Sequence, residues 1–137
     1  MRTYLLDTDM LSHLARRKVE PELLERLVVV PAGQLCTTTI NVYELRLGCN
    51  RQARRGERLW ERFHHDVLSR FRIIPFEERH ALRAGDILAH LLETGQTIGV
   101  EDSLVAAIAV EEEACLVTTH VRHFAKIPGL EVENWLA

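Results

Sequence analysis

Lysine is nearly missing from this chain: of 17 basic residues only Lys18 and Lys126 are lysines, and the rest are arginines. A planar guanidinium meets phosphate or carboxylate oxygens through two parallel hydrogen bonds, which a point-like ammonium does not. Cysteine is scarce too, and Cys36, Cys49 and Cys115 lie far apart without a Cys-x-x-Cys spacing. An odd, scattered set argues against a disulfide framework and a zinc cluster, leaving three small buried hydrophobes. No strand-like run leads into a glycine-rich phosphate loop, which counts against a Rossmann or flavodoxin-like ligand module. Ser103 lacks a histidine and an aspartate in any nucleophile motif, so a serine-hydrolase reading has little support. Long apolar runs are also lacking. The N-terminus meets a charge at Asp7, so it reads as neither a secretory signal nor a membrane span, and a cytoplasmic protein is expected.

What is present is a chain of 137 residues, 47% hydrophobic, without repeats or linkers, which predicts one domain over 1–137. Short apolar runs read as strands at Thr3–Leu6, Gln34–Thr39, Arg72–Phe76, Ala114–Thr118 and Leu130–Trp135. Helical spacing follows Asp7 (Leu11, Leu14, Ala15) and runs from Glu22 to about Val30. It also covers Gly56–Ser69, where Leu59, Trp60, Phe63, Val67 and Leu68 make one apolar face, and Glu77–Thr94, closed by Gly95. The stretch from Val100 to about Val110 has almost no polar interior position and should lie at the centre of the domain. Asn41-x-x-Glu44 reads as a capping box opening another helix. Strands alternating with helices predict an α/β sandwich with a mainly parallel sheet of four or five strands, and function then gathers at the carboxyl ends of those strands.

Three separated acids fall at such places: Asp7, Glu44 and Asp102. Each has a local explanation. Asp7 can cap a helix, Glu44 can complete the capping box with Asn41, and Asp102, like Glu101, sits in a first turn where the helix dipole favours negative charge. If the fold gathers them, their mutual repulsion raises their pKa values unless a cation neutralises it, and hard oxygen ligands without cysteine select Mg²⁺ or Mn²⁺ over zinc. Such an ion, or a pair of them, activates water and clamps a phosphate oxygen, the chemistry of phosphodiester hydrolysis. His64 and His65 are adjacent, so on a helix they diverge and read as surface residues.

Four segments, Leu5-Leu-Asp-Thr-Asp-Met-Leu-Ser12, Thr39-Ile-Asn-Val-Tyr-Glu-Leu-Arg-Leu-Gly48, Ile98-Gly-Val-Glu-Asp-Ser-Leu-Val-Ala-Ala-Ile-Ala109 and Leu116-Val-Thr-Thr-His-Val-Arg-His-Phe124, resemble the PIN-domain toxins of VapBC operons, in that family's order and spacing. The tail Ile127–Trp135 is similar as well. The resemblance implies a three-layer α/β/α fold, a homodimer, a VapB-like antitoxin, and Mg²⁺- or Mn²⁺-dependent cleavage of structured RNA such as a tRNA or ribosomal RNA loop. It makes Asp7, Glu44 and Asp102 the principal acids, with one or two ions between them. Thr8, Asp9, Glu101, Thr119, His120 and His123 are then candidates for supporting the metal site or touching substrate. Relatives commonly carry a further polar or acidic group after the fourth strand; this chain has His120 and His123 there, which leaves open a degenerate PIN domain that binds RNA or a protein without cutting.

The basic residues cluster in the middle of the chain. Arg46, Arg51, Arg54, Arg55, Arg58 and Arg62 face few acids there, chiefly Glu57 and Glu61, and are candidate RNA-phosphate contacts. Arginine that merely solubilises exposed helices, pairs with those acids or meets the antitoxin is the alternative.

Overall fold

The computed structural model describes residues 2–136. Five strands, β1 (Thr3–Leu6), β2 (Leu35–Thr38), β3 (Arg72–Ile74), β4 (Ala114–Val117) and β5 (Glu131–Glu133), form one parallel sheet in the order β3-β2-β1-β4-β5. Parallel neighbours need crossovers, and α1 (Thr8–Leu14), α2 (Pro21–Val29), α3 (Thr39–Asn50), α4 (Gly56–Arg62), α5 (Glu78–Glu93), α6 (Val100–Glu111) and α7 (Val121–Phe124) lie along them. None of the described helices is long and apolar enough to cross a membrane.

Alternation along the strands makes the layers. Leu5 and Leu116 pack on one face of the sheet with Ile87 and Leu91 of α5 and Val105 and Ile108 of α6; Leu6 and Val117 pack on the other with Met10, Leu11, Leu23 and Leu45. Two apolar neighbours in a strand therefore serve two cores, which is why these strands read as continuous hydrophobic runs. Helix α6 is buried through Val105–Ala109, as its composition predicts. Gly95, just past α5, has φ +74 and closes that helix where a side chain would be strained.

Two expectations need correction. The stretch predicted as one amphipathic helix is split into α4, a π segment Phe63–Val67 and a 3-10 turn Leu68–Arg70. Phe63, Val67 and Leu68 are all buried, so the apolar face is as the spacing predicts while the helix that carries it is not regular. The capping box is also absent: the N-cap of α3 is Thr38, whose hydroxyl accepts from the Ile40 and Asn41 N–H groups at 3.1 and 3.2 Å, while Asn41 lies inside the helix.

Gly56 fixes the turn from α3 into α4. A Cβ at this position would stand 2.1 Å from the Cys49 carbonyl oxygen, and the turn before it already holds Ala53 at φ 52. Gly56→Ala is therefore expected to cost on the order of 1–3 kcal/mol or more, read as a lower denaturation midpoint with an unchanged m-value. An unaltered midpoint would show that the two helix ends separate freely.

Candidate active site

Asp7 follows β1 directly, at the point where the chain leaves the central strand, and its N–H donates to the Val117 carbonyl at 3.0 Å. The strand order reverses here: β2 lies to one side of β1 and β4 to the other. In open parallel sheets this crevice receives ligands.

Asp7 holds the N-cap position of α1 but makes no side-chain cap bond. Its carboxylate is buried and accepts instead from Asn41 Nδ2 at 3.0 Å and from Thr118 Oγ1 at 3.1 Å. Burial, then repulsion from Asp9 and Glu44, pushes its pKa from 3.8 to about 6. Glu44, half-buried on the second turn of α3, accepts from Thr8 Oγ1 at 2.7 Å. Its pKa is raised by burial and by the charges of Asp102, Glu101 and Asp9, so these acids feel one another across the crevice. Asp102 lies in the first turn of α6 with Oδ2 2.9 Å from His123 Nε2. Glu101 is exposed at the rim and lines a small cleft with Thr8, Glu44 and Arg51.

Asp9 ties α1 to the segment after β4. It accepts from the Thr119 N–H at 2.8 Å and from the Thr119 hydroxyl, while His120 Nε2 stands 3.8 Å away. The positions after β4 thus bring hydroxyls and imidazoles to the acids, not a further carboxylate.

Three residues of this constellation escape a sequence reading. Asn41 is fully buried, and its amide donates to both Asp7 Oδ1 and Thr8 Oγ1 at 3.0 Å, while its own oxygen accepts from Thr38 Oγ1 at 2.7 Å. Thr38 and Thr118, both fully buried at the carboxyl ends of β2 and β4, complete the ring. The one available signal is polar residues closing otherwise apolar strands, which turn chemistry explains equally well.

Among the described residues no three His, Cys, Asp or Glu side chains already stand in coordinating positions for a metal ion. The donor set nevertheless suits a hard divalent cation. It offers carboxylate oxygens without thiolates, and no lysine or arginine among the described residues bonds to Asp7, Asp9, Glu44 or Asp102. Like charges gathered around one buried carboxylate, with no lysine or arginine bonded to them, are what such an ion compensates.

The PIN domain family model matches residues 4–130. The ribonuclease VapC2 of Haemophilus influenzae is 33% identical, covering 99% of this chain and 100% of that protein. The tRNA(fMet)-specific endonuclease VapC of Salmonella typhimurium is 26% identical over 98% of this chain and 99% of its own. Among solved structures, VapBC2 from Rickettsia felis bound to a promoter DNA fragment is similar with a TM-score of 0.87 at 27% identity, covering 97% of this chain and 98% of that one.

Proposed function

Because the chain belongs to the PIN-domain family, among its VapC ribonucleases, we propose that it hydrolyses phosphodiester bonds in structured RNA, using Mg²⁺ or Mn²⁺ held by Asp7, Glu44 and Asp102. The observation that carries this reading is the uncompensated negative charge at the crevice, expressed in the raised pKa values of Asp7 and Glu44. When bound, the ion lowers the pKa of a coordinated water and polarises the phosphate.

The chain's own residues prepare the site. Asn41 and Thr118 fix the plane of the Asp7 carboxylate, leaving its remaining lone pairs for a ligand. Thr8, itself held by Asn41, sets the position of Glu44. His123 orients Asp102. Glu44 and Asp102 are both half-buried, so neither carboxylate is enclosed as that of Asp7 is. Asp9, through Thr119, holds the loop after β4 against α1.

As part of a toxin–antitoxin pair, the protein is proposed to work in the cytoplasm as a single PIN domain. A VapB-like antitoxin would block it by placing an arginine against the acids. The neighbouring cleft of about 410 Å³, lined by Thr8, Ser12, Glu44, Leu45 and Leu59, gives such a segment room. A second copy of the chain is proposed to cover exposed apolar side chains, among them Leu82, Leu92 and Val100.

The test is incubation of the purified chain with total RNA. Cleavage is expected with Mn²⁺, is lost in EDTA and returns on adding metal. A gel shift without cleavage would instead support an RNA-binding PIN domain that has lost catalysis.

A further inference from the structure

Folding sorts the arginines that the sequence leaves as one cluster. The Arg46 guanidinium lies over the Trp60 ring, 5.1 Å from its centroid. Arg51 faces the small cleft containing Glu44 and Glu101, and Arg54 lines neither pocket. Arg55, Arg58 and Arg62 come together differently. With Gln52, Leu59 and Arg17 they line a separate pocket of about 410 Å³, in which four residues are arginines and none is acidic.

Three segments of chain build this pocket. The 3-10 turn Ala53–Arg55, held against α3 by the close approach of Gly56 to Cys49, presents Arg55. Helix α4 presents Arg58 and, one turn on, Arg62. Arg62 Nη1 donates to the Ala15 carbonyl at 3.0 Å, which ties α4 to the end of α1 and brings Arg17 to the same cavity. Among the described residues Arg17, Arg55 and Arg58 form no ion pair, so Glu57 and Glu61 do not neutralise them. Gln52, Leu59 and Arg62 also line the cleft that reaches Thr8 and Glu44, so the two cavities share a wall.

Four exposed guanidiniums around one acid-free cavity make a local positive potential that attracts an anion, and forked donors match the oxygens of a phosphodiester. We propose that this pocket holds a backbone phosphate of the RNA strand away from the scissile bond, so that the strand runs along α4 from the arginines to the acids after β1. The proposal rests on the ribonuclease reading above. It gives the acidic crevice a positive anchor at one side, without which a chain of net charge −3 meets RNA unfavourably.

Binding of unfractionated tRNA in EDTA tests the pocket apart from cleavage. The variants are Arg55→Ala/Arg58→Ala and Arg17→Ala, with Arg79→Ala/Arg83→Ala on α5 as a charge-matched control. The pocket variants are expected to raise the half-saturating tRNA concentration about tenfold for the pair. The slope of log affinity against log salt should fall by about 0.7–0.9 for each phosphate that is no longer neutralised. The control should change neither. Unchanged affinity and slope in the pocket variants would overturn the proposal, as would an equal loss in the control or a failure of the wild type to bind tRNA. Intact tRNA binding combined with escape from a co-expressed antitoxin would assign the arginines to a protein partner and overturn it too. Arginine-dependent binding without Mn²⁺-dependent cleavage would leave the phosphate pocket standing and remove the nuclease reading.

Discussion

Asp7→Asn is expected to abolish RNA cleavage and, in the same protein freed of metal, to raise stability at neutral pH. The two effects have one cause. Asp7 is buried against Asp9 and Glu44, and its pKa in the fold is about 6 against an ordinary 3.8. A carboxyl group whose pKa is raised by folding stabilises fully below its unfolded value and loses that contribution as pH rises through the folded one. Between about pH 4 and pH 7 the charged form therefore costs the metal-free fold on the order of 3 kcal/mol. Asparagine keeps an acceptor for Asn41 and removes the charge. Thermal melts in EDTA should show the wild type losing stability from about pH 4 to pH 7 relative to the variant, which lacks this contribution. Cleavage should fall by roughly 10³-fold or more, since metal-assisted charge stabilisation supplies several kcal/mol of the barrier reduction. Parallel pH profiles for the two proteins would refute the strained-carboxylate account, and residual cleavage near wild type would remove Asp7 from the reaction.

The second large effect is expected at Asn41, a residue placed to touch neither water nor RNA. Asn41→Ala removes the donor shared by Asp7 and Thr8 and takes away the acceptor of the Thr38 hydroxyl proton. Removing buried hydrogen bonds of this kind, one of them to a charged group, costs about 2–4 kcal/mol together. Mn²⁺ affinity, measured by calorimetric titration, should drop about 10–100-fold, as when a partner that orients a metal ligand is removed. A purely structural role for Asn41 predicts a lower melting temperature with unaltered Mn²⁺ affinity. That outcome would separate stability from positioning.

How much of this was legible in the sequence differs by element. The five strands and the long helices at Glu78–Glu93 and Val100–Glu111 were legible within a residue or two, because an apolar period and its bounding turn residues are local properties. The break after α4 was not, since the apolar face of Phe63, Val67 and Leu68 is as the spacing predicts although the helix that carries it is not regular. The capping box failed for a related reason. Asn41 and Glu44 have the right spacing, but Thr38 caps the helix earlier and leaves Asn41 inside it, where its amide meets the Asp7 carboxylate and the Thr8 hydroxyl, while Glu44 accepts from Thr8.

The sequence by itself determined the alternation of strands and helices, the buried character of α6, and Asp7, Glu44 and Asp102 as the acids worth watching. Only the tertiary structure decided that Asn41, Thr38 and Thr118 surround Asp7, and that Arg17, Arg55, Arg58 and Arg62 share a pocket while Arg46 stacks on Trp60. The reason is separation along the chain. The bonds that fix Asp7 span 34 and 111 residues, and no local pattern of residue types carries the information about which distant side chain arrives at a given lone pair.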